Sequence, residues 1–146
     1  MSTSTKARLG ALAASLAVAT ATVVGGAGTA AAADSFSFGY STNSSGYAVI
    51  SVRNNTWGES AGNATWQKDP GGGEPGDALS AYDVLADGYG IEAHLSTGRV
   101  ATTRGHASPY AVTVTGDLPE DTGYTMWVCV VKGDFSKCSE RYAVSS

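Results

Sequence analysis

The chain has 146 residues, nine of them basic and thirteen acidic, for a net charge of −4 at neutral pH, with two cysteines and two histidines. It carries no basic run, so phosphate backbones and anionic lipid surfaces are repelled and nucleic acid is not an expected partner. The histidines fall in no H-E-x-x-H spacing and no G-x-S-x-G occurs, which leaves no motif for zinc or acyl-transfer catalysis.

Residues 1–33 have the three parts of a cleavable export signal. Lys6 and Arg8 form a positive start, Leu9 to Gly25 is uncharged and rich in Ala, Leu and Val, and Ala30–Ala33 supplies small residues before the first acid, Asp34. Ala31 and Ala33 suit the −3 and −1 positions of signal peptidase, so cleavage is expected after Ala33. The apolar stretch is too short and too rich in small residues to be read as a membrane anchor. What remains, residues 34–146, is long enough for a single domain with one core. Losing Lys6 and Arg8 leaves seven basic residues against thirteen acids, a net charge of −6. The expected product is secreted, free of the membrane after cleavage, and monomeric.

Beyond Asp34, alternating apolar residues and recurrent Gly or Asn/Asp clusters predict an all-β domain of about seven strands. Phe36, Phe38 and Tyr40 alternate in a first strand, and Asn43–Gly46 is a turn. Tyr47–Arg53 is a second strand with Ala48, Ile50 and Val52 on one face. Residues 54–77 are least regular: a long loop around Asp69–Gly76, with a short edge strand at Asn63–Lys68 carrying Trp66. Residues 77–88 fit either a helix capped by Asp77 and stopped by Gly88, or a short strand ending in an Asp87-Gly88 turn. Strands follow at Tyr89–Leu95, Val100–Arg104, Tyr110–Thr115, Tyr124–Lys132 and Lys137–Val144.

The last hairpin yields a specific expectation. With Gly133-Asp134 as a two-residue turn, Lys132 faces Phe135, Val131 faces Ser136, Val130 faces Lys137, and Cys129 faces Cys138. The cysteines then occupy a non-hydrogen-bonded pair, where side chains lie closest, so a Cys129–Cys138 disulfide is expected in an exported chain. The C-x-x-C spacing of a redox pair is absent.

Leu118, Thr122 and Tyr124, leading into alternating Met126, Val128 and Val130, resemble the corresponding segment of an immunoglobulin-like or fibronectin type III domain. The chain resembles small secreted bacterial proteins built on that β-sandwich. The resemblance implies a tyrosine corner, in which the Tyr124 hydroxyl bonds back to upstream backbone. Pro119 stands one position away from the usual proline, and the disulfide staples one hairpin rather than joining two sheets. Such a scaffold hosts many functions and assigns none.

His94 alternates with Glu92 on a solvent face, and His106 sits in a turn region. Glu74, Asp77, Asp83 and Asp87 include the oxygen ligands that a calcium ion would need, but their spacing matches no EF-hand and reads better as a solvated acidic loop. Asn54-Asn55-Thr56 and Asn63-Ala64-Thr65 match the short glycosylation pattern. Trp127 alternates with Cys129 in a strand. Trp57 and Trp66 lie in the irregular region among Gly, Asn, Ser and Thr, where flat rings suit stacking on sugars. They are the candidate ligand-binding residues, with no catalytic residue, metal or cofactor assigned. The expectation is a non-catalytic extracellular module that binds a glycan, a cell-wall polymer or a protein. The alternative is a small secreted inhibitor or toxin presenting its Gly133-Asp134 turn or 69–76 loop, and a small hydrolase ranks last.

Overall fold

Period-two patterning beyond Asp34 forms strands wherever one face of each is apolar. A computed structural model describes residues 32–146 except Gly72 and Glu74. The export signal expected over residues 1–33 therefore lies, apart from Ala32 and Ala33, outside the described residues. Residues 32–146 form one compact unit without a helix among the described residues. The strands are β1 (Phe36–Thr42), β2 (Ala48–Asn54), β3 (Glu59–Gln67), β4 (Ala78–Asp83), β5 (Gly90–Leu95), β6 (Val100–Thr102), β7 (Tyr110–Val114), β8 (Gly123–Lys132), β9 (Phe135–Cys138) and β10 (Tyr142–Ser145).

They pair antiparallel in two sheets. One has the order β1-β2-β3-β4-β7, and the other β10-β8-β5-β6, with β9 also on β8. The arrangement is that of a β-sandwich. Register aligns the core face of the first sheet in rows: Ala48, Trp66, Leu79 and Val114 in one, Ile50, Ala64, Ala81 and Val112 in the next. Against them pack Ile91, Ala93 and Leu95 of β5 and Met126, Val128 and Val130 of β8, all buried.

Several expectations change. Residues 59–67 are a nine-residue strand in the middle of a sheet, not an irregular stretch with a short edge strand. Ala64 and Trp66 alternate there with Asn63, Thr65 and Gln67, and pairing on both sides fixes the strand despite its polar residues. Residues 78–83 resolve as strand rather than helix because Ser80 and Tyr82 pair with both β3 and β7. The last predicted strand is two, broken at Ser139–Arg141, which both lie along the β8 edge not taken by β5.

The final hairpin has the expected register, Lys132 with Phe135 through to Cys129 with Cys138, and the two cysteines are disulfide-bonded with Cα atoms 4.0 Å apart. The corner before β8 closes differently from expectation. Among the described residues no hydrogen bond comes from the Tyr124 hydroxyl. Instead Ser146 N–H donates to the Thr122 carbonyl at 3.2 Å, Ser146 Oγ donates to the Pro119 carbonyl, and Leu118 N–H donates to Asp77 Oδ2 at 2.7 Å.

Candidate functional site

The antiparallel registers bring five connections to one end of the sandwich. These are the segment entering β1, the β2–β3 turn, the β4–β5 loop, the β6–β7 loop and the β8–β9 turn. Their shapes follow from local chemistry. Asn54, fully buried, accepts the N–H groups of Thr56 and Trp57 on its Oδ1 at 3.1 and 3.3 Å, which folds the β2–β3 turn. Its Nδ2 donates to Asp34 Oδ2 and Asp87 Oδ2, each at 2.8 Å, tying that turn to the chain start and to the β4–β5 loop. Asp87 Oδ1 accepts the Tyr89 N–H at 3.0 Å, and Gly88 takes φ of 78°, so the β4–β5 loop turns sharply into β5. Beneath these loops Phe36, Tyr89 and Phe135 pack ring to ring and close the core.

The loops enclose an open groove of about 400 Å³. Gly88, Tyr89, Arg104, His106, Lys132 and Gly133 are among its lining residues. Lys132 Nζ donates to the Asp87 carbonyl at 3.3 Å and lies 4.4 Å from the Tyr89 ring centroid. Arg104 donates from Nε to Glu92 Oε1 and from Nη1 to the Gly133 carbonyl, both at 3.0 Å. The His106 ring stacks on Tyr110 with centroids 3.8 Å apart.

Trp57 stands at this same end, on the β2–β3 turn, with 54% of its surface exposed. Trp66 does not join it. Sequence context placed Trp66 on a short edge strand in an accessible, irregular region, but it is fully buried in the row with Ala48 and Leu79, and its indole N–H donates to the Ser145 carbonyl at 2.9 Å. A ring inside the core has no face to offer a ligand, so the two tryptophans form no common platform. Trp127 is not such a platform either: His94 stacks on it at 5.1 Å and the Arg141 guanidinium lies 3.9 Å from its ring centroid.

The acids considered for calcium are dispersed. Asp77 lies toward the opposite end, engaged with Leu118, while Asp83 and Asp87 are at the groove end, and Glu74 is outside the described residues. Among the described residues no group of three or more His, Cys, Asp or Glu side chains is placed to hold a metal ion. Asp83 is buried, with Oδ1 accepting the Leu85 N–H at 3.3 Å and Oδ2 unpartnered. Burial raises its carboxyl above the usual range, and the Asp87 charge adds to the rise, against the lowering effect of the nearby Ser108 hydroxyl and the Leu85 N–H.

His94 moves the opposite way. Burial lowers it and the Arg141 charge adds to that, while Glu92, 3.5 Å away, opposes. Among the described residues neither histidine hydrogen-bonds a serine, so no Ser-His pair is assembled. Asn54 is buried and fully hydrogen-bonded, which removes it as a glycan acceptor.

Arg104 and Lys132 were not singled out by the sequence. Their only signal was a glycine at each turn beside them, which shows where loops bend but not that three loops meet. Compared with protein-family models, curated proteins and solved structures, the chain matches none of them.

Proposed function

We propose that the chain is an exported, non-catalytic recognition module that engages an extracellular glycan, cell-wall polymer or protein through the loop end of its sandwich. The observation carrying this reading is the convergence there of an open groove and an exposed tryptophan on loops held by buried hydrogen bonds. A rigid scaffold with recognition on its connecting loops is a common division of labour. An exposed flat ring at the same end as a groove that offers Arg104, His106 and Lys132 suits a sugar, because stacking covers the apolar face while such polar groups bond the hydroxyls. The disulfide suits an oxidising compartment, in keeping with secretion, and the net charge of the processed chain disfavours nucleic acid.

The same reading takes the sandwich as immunoglobulin-like. The chain passes between sheets from β4 to β5, from β6 to β7 and from β7 to β8, and this alternation supports that type. The domain is read as monomeric.

The test is a pull-down of the purified secreted protein on insoluble cellulose, chitin and peptidoglycan, alongside Trp57→Ala. Wild-type retention that falls about tenfold in the variant is the expected result, since one ring–sugar contact is worth roughly 1–2 kcal/mol. Retention unchanged by Trp57→Ala removes Trp57 from the binding surface, and with it the observation that carries this reading.

A further inference from the structure

The groove's charge runs against the charge of the chain. Arg104 and Lys132 are its only formally charged lining residues, and both are cations, on a domain whose processed form carries −6. Neither head group hangs free. Lys132 Nζ is pinned between the Asp87 carbonyl and the Tyr89 ring, and both of these are neutral. Among the described residues no carboxylate oxygen lies within 4.0 Å of Lys132 Nζ, so, although the head group is bonded to the main chain of Asp87, it makes no direct ion pair. Arg104 is oriented by Glu92 and by the Gly133 carbonyl, which use two of its five N–H donors.

Glycine makes this placement possible. A Cβ on Gly88 would lie 3.1 Å from Lys132 Nζ, and one on Gly90 would lie 3.2 Å from the Arg104 backbone. At Gly105 and Gly133, whose φ values are 83° and 53°, the walls carry no side chain and face open space.

We propose that this groove binds an oxyanion, a carboxylate or phosphate group borne on a saccharide. Lys132 supplies the unpaired charge and Arg104 its remaining directed donors. The inference rests on the loop end being a glycan-recognition surface and names the class of glycan. The acidic body selects within that class. It repels a densely charged polyanion, so the fitting ligand is a short saccharide whose charges are spaced by sugar rings, and its binding depends on short-range contacts.

The test uses the chain expressed in full and purified with its disulfide intact, titrated by amide-shift mapping. The probes are a trigalacturonate, its full methyl ester, and glucose 6-phosphate. The expected result is that trigalacturonate moves the Gly88, Gly105 and Gly133 resonances and that its methyl ester does not. Lys132→Gln, with an unchanged melting temperature, is expected to weaken binding about tenfold or more, as for loss of one charge-assisted contact. A response to glucose 6-phosphate at the same resonances with none to trigalacturonate supports the site and identifies phosphate as the source. Equal binding of the acid and its ester, no shift with either anion, or full affinity in Lys132→Gln overturns the inference. Retention on neutral polymers that needs Trp57, with no response to either anion, leaves the recognition module standing and removes only the anion site.

Discussion

Gly62 shows how closely the two sheets meet. It lies between Val52 and Asp83 in the register of the first sheet, and a Cβ there would come within 2.0 Å of the Tyr82 carbonyl oxygen and 3.0 Å of Ile91 in the facing sheet. Backbone cannot yield as a flexible side chain does, so Gly62→Ala should force the β3–β4 pairing or the sheet separation to shift. The expected loss is about 2–4 kcal/mol in denaturant unfolding. Gly123→Ala, with open space around it, serves as the matched control and should change stability by under about 0.5 kcal/mol. A Gly62→Ala protein as stable as its control refutes the close approach. At the same scale, Asn54 explains why a polar residue ends β2 inside the protein: its amide meets two carboxylates and two backbone N–H groups, so its burial leaves no polar atom unmatched.

At the scale of elements, the strands that could be read from sequence are those whose alternation is apolar enough to stand alone. Phe36–Tyr40, Ala48–Val52 and Met126–Val130 each bury one face, and the last hairpin also had its turn and cysteines to set register. β3 was legible only in part, because Gly62 and Ala64 are too small to mark a face and Trp66 sits beside a glycine-rich loop. Its position between β2 and β4 is fixed by long-range pairing that no local window contains. The same limit applied to the candidate site. Trp57 was visible as a loop tryptophan, whereas the groove is lined from three separate segments, within 86–90, 103–108 and 131–133, which only the folded registers bring together.

The Cys129–Cys138 bond tests the hairpin as an element. It closes a short loop, for which chain entropy gives about 2–3 kcal/mol. Cys129→Ala/Cys138→Ala should lower unfolding stability by about that amount. Local exchange should rise first in β9, which has no other strand partner than β8. A loss spread evenly over both sheets, with β9 no more labile than β2, argues against the hairpin as the unit being stapled.

For the whole molecule, two titrating groups in opposite parts of the sandwich, buried Asp83 and half-buried His94, set opposing pH dependences. Asp83 sits at the groove end of the first sheet and is raised above 3.8, chiefly by burial. Between 3.8 and its folded value the native state holds more protons than the unfolded state, so its contribution to stability falls as pH rises through that window. His94, on β5 against Trp127, is lowered below 6.5, again chiefly by burial. Between its folded value and 6.5 the unfolded state holds more protons, so its contribution falls as pH drops through that window. The two slopes have opposite sign and offset one another wherever the windows overlap. Each is therefore isolated by removing it and comparing the variant with wild type. Asp83→Asn keeps an oxygen acceptor for Leu85 but carries no charge, and its stability relative to wild type should grow from pH 4 to pH 7. His94→Gln loses ring stacking at every pH, a constant offset, but its stability relative to wild type should grow as pH falls from 7 to 4. The other carboxylates act alike in variant and wild type, so the difference isolates each group. Urea midpoints measured at half-unit intervals check both trends. A pH-independent difference for Asp83→Asn means that its carboxyl titrates as in the unfolded chain, and burial of the unpartnered Oδ2 then carries no penalty on its charge.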